Sequence, residues 1–259
     1  MKNNFHTHTR RCGHARGSDE EYIQAAIAGG FTAIGFSDHG PLPCEDGYAS
    51  SVRMDCAQVE EYFSALTALK AKYSERVAVH IGFEYEYLPE CMDFIREMRE
   101  HPMVEYLILG SHRDEDDRTG EYFGNAATEA DILRYEKNAL AGMNSGLYAY
   151  LAHPDLFLCS YPVFDKAAER VSRRICREAN ALCMPLEYNL YGVLKIEGGV
   201  SGIGYPSQRF WEIAAEEGCT AIIGVDAHFP GMLSDTALYE KGSEALERVG
   251  IHRIEEIVL

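Results

Sequence analysis

Histidines are concentrated at the start of the chain, in the stretch NNFHTHTRRCGHARG at residues 3–17. His6 and His8 are two residues apart, and His14 follows a basic segment that contains a glycine. Imidazole nitrogens are common protein ligands for Zn²⁺, Fe²⁺ and Mn²⁺. Because residues two apart in a β-strand point to the same side, His6 and His8 can bind one ion together. The spacing therefore indicates a metal site near the beginning of the chain.

Further candidate ligands stand at the ends of hydrophobic runs that are typical of β-strands. Seven such runs alternate with segments in which apolar residues recur every three or four positions, as in amphipathic helices. Six of the seven runs end in a side chain that can bind a metal, and the exception is MPLEYNL at 184–190. With His14 in the first loop, the candidate ligands are His6, His8, His39, Glu84, His112, His153, Asp226 and His228.

Strands that alternate with helices predict a parallel sheet. The predicted strands cover 3–8, 32–39, 77–87, 106–113, 148–155, 184–190 and 220–228, and the predicted helices cover 18–30, 54–73, 89–101, 128–144, 164–183 and 206–218. Seven repeats within about 230 residues favour a barrel over an open sheet. We therefore predict an α/β fold, a distorted (βα)7 TIM-like barrel built as one domain over residues 1–259. The tail IHRIEEIVL is either an eighth strand or a closing segment.

Composition limits the class of protein and its partners. The chain is 46% hydrophobic, with a formal net charge of −17, and none of its eight cysteines forms a CxxC pair. We expect free thiols, no membrane span and, in the absence of a signal-peptide pattern, a cytoplasmic location. So acidic a chain would repel a polyphosphate backbone, which argues against nucleic acid as the main partner. The composition does not predict the oligomeric state.

The number of candidate ligands indicates more than one ion. Nine ligands are too many for one ion and nearly enough for three, particularly if one carboxylate is shared. Two divalent ions about 3.5–4 Å apart can activate a water and clamp a phosphoryl group. Three divalent ions would leave the barrel mouth positively charged despite the acidic surroundings, so it would attract a phosphate dianion. The sequence therefore predicts a small phosphorylated substrate.

The opening FHTHTRRCGHARGSDEEYIQAAIAGGFTAIGFSDHGP, followed by GFEYEY, GSH, LAHPD and IGVDAHFP, resembles the polymerase-and-histidinol-phosphatase (PHP) family, in its histidinol-phosphatase branch. These motifs span residues 5–230 in the family's order. The resemblance implies a distorted seven-stranded barrel that holds three divalent ions, Zn, Fe or Mn. The ligands that it implies are His6, His8, Glu84 and Asp226 for the first ion, Glu84, His112 and His153 for the second, and His14, His39 and His228 for the third.

The resemblance also suggests residues for catalysis. Its Gly-x-Glu pattern, read on residues 82–84, selects Glu84 rather than Glu86 as the shared acid. Asp155 or Asp114 is our candidate to protonate the leaving alkoxide. The candidates for phosphate binding are Arg16, Arg113 and Lys195. The family leads us to expect an arginine after an N-x-x-G turn, and here NLYGVLK has Leu194 followed by Lys195, which leaves the substrate open.

The resemblance implies a metal-dependent phosphomonoesterase that converts L-histidinol phosphate to L-histidinol and phosphate in histidine biosynthesis. One alternative is a PHP phosphoesterase for a nucleotide or sugar phosphate, and another is a non-catalytic metal-binding regulator, although none of its ligands is missing. The barrel-shaped amidohydrolases also begin with HxH, but they bridge their metals with a modified lysine where this chain has GSHR. We further expect acidic, aromatic loops at 44–48 and 113–123 to form a rim that recognises a cationic alcohol.

Overall fold

The computed structural model describes residues 2–43, 47–199 and 201–259, and strands alternate with helices along this part of the chain. The strands are β1 (Asn3–Asn4), β2 (Ala33–His39), β3 (Ala78–Tyr85), β4 (Tyr106–Leu109), β5 (Leu186–Asn189), β6 (Thr220–Gly224) and β7 (His252–Arg253). The α-helices are α1 (Asp19–Ala28), α2 (Val59–Tyr73), α3 (Met92–Glu100), α4 (Glu129–Met143), α5 (Lys166–Ala181), α6 (Leu190–Gly198), α7 (Gln208–Glu216), α8 (Gly231–Ser234) and α9 (Thr236–Val249).

Two parallel sheets join to close a barrel. One has the strand order β1-β2-β3-β4 and the other β5-β6-β7. Leu151 connects them on one side, because it pairs in parallel with both Leu109 and Leu186. On the other side Thr7 pairs with Ala227. The architecture confirms the predicted α/β class and the distorted TIM-like barrel.

The predicted elements differ from the observed ones mainly at the mouth of the barrel. In the segment predicted as a strand over 148–155, β-bridge pairing is confined to Leu151, and the chain turns at His153 with a φ of 30°. The tail, expected as an eighth strand or a closing segment, forms the short strand β7, which pairs in parallel with the first residues of β6. Helices α6, α8 and α9 were not predicted. In α9 the helical pattern contains Gly242, which lets Leu190 approach closely: a Cβ there would lie 2.6 Å from Leu190 Cδ2.

Local sequence signals explain where several helices begin. Ser18 and Glu21 form a capping box at the start of α1, with the Ser18 amide donating to the Glu21 carboxylate at 2.6 Å. Thr128 and Asp131 form a second capping box at the start of α4. These caps satisfy backbone N–H groups that the helix itself leaves unpaired. No helix in the described ranges has both the length and the apolar character needed to cross a membrane, and every cysteine within them is a free thiol.

The barrel interior below the mouth is filled by a small cluster of side chains: Phe5, Tyr106, Ile108, Tyr150, Ala152 and Ile222. The larger core lies outside the barrel, where helices pack against the outer faces of the strands. Tyr106 donates its hydroxyl to the backbone oxygen of Phe5 at 2.8 Å. Tyr106 and Ile108 are alternate residues of β4 that face the barrel interior, and the same alternation continues to His112. This packed layer therefore supports the residues of the mouth.

Replacing Gly35 with alanine tests this interior packing. A Cβ at Gly35 would lie 2.3 Å from the Tyr106 hydroxyl oxygen and 3.0 Å from Phe5 Cα. Overpacking of this kind costs about 1–3 kcal/mol, so we expect Gly35→Ala to lower the free energy of unfolding in urea. The control is Gly198→Ala, where a Cβ would meet no atom within 4 Å. Equal stability of the two variants would contradict this account of the interior.

Candidate metal centre

Glu84 lies at the centre of the candidate site. It is near the end of β3 and is 1% exposed. Its Oε1 lies 3.0 Å from His153 Nε2 and 3.5 Å from His112 Nε2. Its Oε2 lies 3.2 Å from His39 Nδ1 and 3.5–3.6 Å from the Nε2 atoms of His6 and His8. A Cβ at position 110 would lie 2.2 Å from Glu84 Oε1, so the glycine found there makes room for this carboxylate.

Asp226 forms a second centre of contacts after β6. Its Oδ1 lies 3.0 Å from His8 Nε2, 3.3 Å from His228 Nδ1 and 3.5 Å from His6 Nε2. The Nε2 atoms of His6 and His8 are 3.1 Å apart. The Nε2 atoms of His6 and His8 therefore point into the space beside the carboxylates of Glu84 and Asp226. This agrees with the prediction that residues two apart in a strand point to the same side.

The chemistry of these donor atoms fits bound cations. Glu84 Oε2, Asp226 Oδ1 and His153 Nδ1 are buried and have no hydrogen-bond partner. Buried polar atoms without a partner are rare in folded proteins, and the two oxygens lie among imidazole nitrogens. Three groups of ligand atoms include most of the predicted set, each lying within 4.8 Å of one another: His6, His8 and Asp226; His6, Glu84 and His153; His39, Glu84 and His112. The site can therefore hold several metal ions.

The residues predicted for the third ion are only partly brought together. His39 and His228 form a group with His8. The ring of His14 lies 4.9 Å from that of His228 and 5.3 Å from that of His39. However, its ring nitrogens join none of the ligand groups found in the described residues. Its Nδ1 is 3.0 Å from the backbone oxygen of Cys12, and its Nε2 is 4.0 Å from Cys12 Sγ.

Burial and charge act in opposite directions on the acids of the site. Burial would raise the pKa of Glu84, but the imidazoles of His112 and His6 help to hold it well below its ordinary value. Burial would likewise raise the pKa of Asp226, and His6 and His228 outweigh it. Both acids are therefore carboxylates, the form that binds metal. Burial lowers the pKa of His14, His39 and His153, which favours their neutral, ligating form. For His6, His8 and His112 the neighbouring carboxylates outweigh burial and raise the pKa, so these rings release a proton when they bind metal.

A second layer of carboxylates stands behind the histidines, and the sequence analysis missed it. Glu187 Oε1 lies 2.7 Å from His6 Nδ1, and Glu86 Oε1 lies 3.0 Å from His112 Nδ1. Each contact occupies the outer ring nitrogen and turns Nε2 towards the centre. Outer carboxylates of this kind orient metal-binding histidines and increase their basicity. The signal was available for Glu86, which shares the alternation of Glu84.

Strand β5 lies in the predicted run 184–190, which has no candidate metal ligand at its end, and it contributes to this outer layer. Glu187 Oε2 also accepts hydrogen bonds from the backbone N–H of His153 at 3.0 Å and from Asn189 Nδ2 at 2.9 Å. Asn189 Nδ2 lies 3.1 Å from Asp226 Oδ2, and Asn189 Oδ1 accepts from the backbone N–H of Gly192 at 2.8 Å. Because this last bond caps α6, one amide side chain connects that helix to Asp226.

Two residues of the site have strained backbones. His153 and Asp226 adopt φ values of 30° and 52°, in a region that non-glycine residues rarely occupy. Such conformations cost about 1–3 kcal/mol each and persist where surrounding contacts impose them. For His153, the hydrogen bond from its N–H to Glu187 is one such contact. The fold therefore holds both side chains at a conformational cost.

A cavity of about 290 Å³ opens above the histidines. Arg113 and Lys195, two of the predicted phosphate-binding residues, line it, whereas Arg16 is exposed and does not. Lys195 Nζ lies 3.4 Å from the Tyr205 hydroxyl and 4.8 Å from the centre of the Tyr191 ring. Tyr122, from the predicted aromatic segment 113–123, lines this cavity together with Tyr191 and Tyr205, which were not predicted.

The two candidate general acids do not reach this cavity. Asp155 is fully buried, and its Oδ2 accepts from the backbone N–H of Ser207 at 2.6 Å. Burial raises the pKa of Asp155 to about 7, but its carboxyl group faces the start of α7. Asp114 pairs with Arg134, with 2.9 Å between Oδ2 and Nε, and lines a neighbouring cavity of about 860 Å³. Neither aspartate is therefore placed to protonate a leaving group.

The predicted acidic rim is largely neutralised by arginines. In the loop 113–123, Asp116 pairs with Arg118 at 2.8 Å. Asp114, Glu115 and Asp116 all line the neighbouring cavity rather than the one above the histidines. The other predicted rim segment, 44–48, has its first three residues outside the described ranges. The rim is therefore a weaker source of specificity than the sequence suggested.

Comparison with known proteins gives consistent similarities. The family model described as "PHP domain" matches residues 4–190. A "Probable histidinol-phosphatase" of Deinococcus radiodurans is 28% identical over 245 residues, which cover 87% of this chain and 86% of that protein. The "Histidinol-phosphatase" of Bacillus subtilis is 25% identical over 261 residues, covering 89% and 95%.

A solved structure shares the fold. It is the histidinol phosphate phosphatase from Lactococcus lactis, described as complexed with zinc, L-histidinol and phosphate. It aligns with a TM-score of 0.71 and 19% sequence identity, covering 99% of this chain and 98% of that chain. At this level of identity the similarity establishes the fold alone.

Substituting Glu84 and Glu86 one at a time distinguishes their roles, and the measured quantity is the metal content of each variant. We expect the wild type to bind about two to three equivalents of Zn, Fe or Mn, and Glu84→Gln to lose about two, because one shared anion is removed from two ligand groups. Glu86→Gln removes only an outer contact, so metal affinity falls by at most ~10–100-fold and saturating metal restores the content. Elemental analysis after reconstitution measures both. If the two variants behaved alike, the assignment of Glu84 as the shared acid would be wrong.

Proposed function

This chain belongs to the PHP domain family, and from that premise we propose that it is a metal-dependent phosphomonoesterase whose substrate is L-histidinol phosphate. The products are L-histidinol and inorganic phosphate. The observation that carries the proposal is the position of the ligand groups directly below a cavity that also exposes Arg113 and Lys195. The cavity thus combines sites for cations with two basic side chains, an arrangement suited to a phosphate ester.

The proposed metal centre uses the nine predicted ligands, grouped as the family pattern implies, with three divalent ions. Divalent ions bound there supply Lewis-acid polarisation of the phosphoryl group and activation of the attacking water. The chain contributes the alignment: Glu84 contacts histidines through both carboxylate oxygens, and the outer carboxylates hold the rings of His6 and His112. Alignment of this kind reduces the reorganisation that is needed during the reaction.

Lys195 and Arg113 are proposed to bind the phosphate from the side of the cavity. Lys195 approaches from α6, and Arg113 approaches from the loop after β4, where its guanidinium donates to the backbone oxygen of Gly120 and lies 5.7 Å from the Tyr122 ring centre. A cation paired with phosphate in a partly enclosed site forms strong, charge-assisted hydrogen bonds. In this proposal Lys195 takes the role that the family pattern led us to expect of an arginine.

The alcohol part of the substrate would lie against the tyrosines of the cavity. Histidinol carries an imidazole and an ammonium group, and both can interact favourably with the faces of aromatic rings. The names of the curated relatives, and the L-histidinol and phosphate in the Lactococcus lactis structure, support this choice. The alternative substrate class, a nucleotide or sugar phosphate, is kept because Leu194 departs from the expected pattern.

Turnover of a panel of phosphomonoesters tests the proposed substrate. With reconstituted protein, we expect kcat/KM for L-histidinol phosphate to exceed that for mononucleotides and sugar phosphates by at least about tenfold, equivalent to ~1.4 kcal/mol. A strong chelator should abolish the release of phosphate. Undetectable turnover of L-histidinol phosphate beside rapid turnover of another ester would favour the alternative substrate class.

Lys195→Met tests the proposed phosphate contact. Loss of one charged hydrogen bond to the substrate, worth about 1.5–3 kcal/mol, should raise KM for every phosphomonoester about 10- to 150-fold, with metal content unchanged. Arg16→Met is the matched control, because Arg16 is exposed and does not line the cavity. A similar rise in KM for both variants would show that Lys195 has no special contact with phosphate.

A further inference from the structure

Arg53 is a buried cation beside the proposed metal centre, and none of the roles assigned above includes it. It lies in the segment between β2 and α2, is 6% exposed, and lines both the cavity above the histidines and the neighbouring one. Its guanidinium donates to the backbone oxygen of Gly40 at 3.0 Å, to Glu86 Oε2 at 3.1 Å and to both carboxylate oxygens of Asp117 at 2.7 Å. A single side chain therefore connects three segments that are distant in sequence.

One branch of these contacts leads to a metal ligand. Glu86 uses Oε2 for Arg53 and Oε1 for His112 Nδ1, at 3.0 Å. His112 then directs Nε2 towards Glu84, at 3.5 Å. Because the Glu86 carboxylate is held from both sides, the position of Arg53 determines where Glu86 meets the imidazole ring. The orientation of His112 thus depends on a cation that does not itself touch the ligand.

The other branch leads to the loop that covers the mouth. Asp117 lies in the loop after β4 and also accepts a hydrogen bond from the Ser50 hydroxyl at 2.6 Å. Both carboxylates that Arg53 contacts are buried, with side-chain exposures of 4% for Glu86 and 5% for Asp117. Two buried anions that share one cation are costly to separate from it. The loop and the metal ligand are therefore held by the same guanidinium.

We infer that Arg53 is a positioning residue that sets metal affinity at His112 by acting through Glu86, while it fastens the loop through Asp117. This inference rests on the metal centre of the proposed function. Its readout is metal retention, which does not depend on the identity of the phosphate ester. A wild type that bound no metal would refute the proposed function, whereas a normal wild type with unaffected Arg53 variants would refute only the role of Arg53.

The experiment measures Zn²⁺ affinity by competition with a chromogenic chelator. Arg53→Met should weaken the affinity of the reconstituted protein by more than about twofold and by at most about 10- to 100-fold, which is the usual effect of losing the direct partner of a metal-binding histidine, here Glu86. Arg53→Lys keeps the charge but offers one nitrogen in place of three, so its loss should be smaller while remaining outside about twofold of wild type. If Arg53→Met does not fold, Arg53→Lys supplies the answer by the same criterion.

A double-mutant cycle tests whether the effect passes through Glu86. If it does, Arg53→Met combined with Glu86→Gln should weaken Zn²⁺ binding no more than the stronger single substitution. Multiplicative effects would show that Arg53 acts by another route and would overturn the inference. Zn²⁺ affinities of the folded Arg53 variants within about twofold of wild type would overturn it as well.

Two controls separate positioning from general loss of stability. Arg134→Met breaks the ion pair with Asp114 of the same loop and leaves the contact between Glu86 and His112 in place. Leu246→Ala removes buried side-chain volume from α9 and should lower the unfolding midpoint. Both should keep wild-type Zn²⁺ affinity. If either weakened Zn²⁺ binding as much as Arg53→Met, the effect of Arg53 would be one of stability alone and the inference would fail.

Discussion

The structure depends on how a buried carboxylate is held among imidazoles. Glu84 is almost fully buried and contacts histidines through both of its oxygens, at the position where the strands of a closed barrel end. An isolated carboxylate in such a place would be very costly. The surrounding imidazoles offset part of this cost, and bound cations would supply partners for the buried oxygens of Glu84 and Asp226 that have no hydrogen-bond partner. The barrel, its packed interior and its strained turns all serve to bring these groups to one place.

The carboxylates of the outer layer also hold the metal-binding side chains in position. A histidine that binds a cation becomes a better ligand when its second nitrogen faces an acceptor, because the acceptor orients the ring and increases its basicity. Glu187 provides this acceptor for His6 and Glu86 provides it for His112. Glu86 is in turn held by Arg53. The contacts that position the metal-binding histidines therefore extend to Arg53, in the segment between β2 and α2, which contains none of the predicted metal ligands.

Overall charge and local charge differ in this protein. The formal net charge is −17, yet the cavity exposes Arg113 and Lys195 beside the ligand groups. Many surface acids are already paired with arginines, as Asp114 is with Arg134 and Asp116 is with Arg118. The field at the cavity is consequently set by its own lining and by bound cations, because paired and solvent-screened surface charges contribute little at this distance.

The sequence by itself determined the features that follow from spacing and periodicity. Strands that alternate with helices predicted a parallel sheet, and the number of repeats favoured a barrel. Because a barrel brings strand ends together, the convergence of His6, Glu84 and Asp226 could be predicted from their positions in the chain. Only the tertiary structure decided which residues away from strand ends take part. Asp155 shares the neighbourhood of His153 in sequence, but its carboxyl group is turned to the start of α7. Arg53 has no local motif and gains its place from contacts with residues 13 to 64 positions away. Such contacts depend on how loops pack over the mouth, and no local spacing encodes that packing.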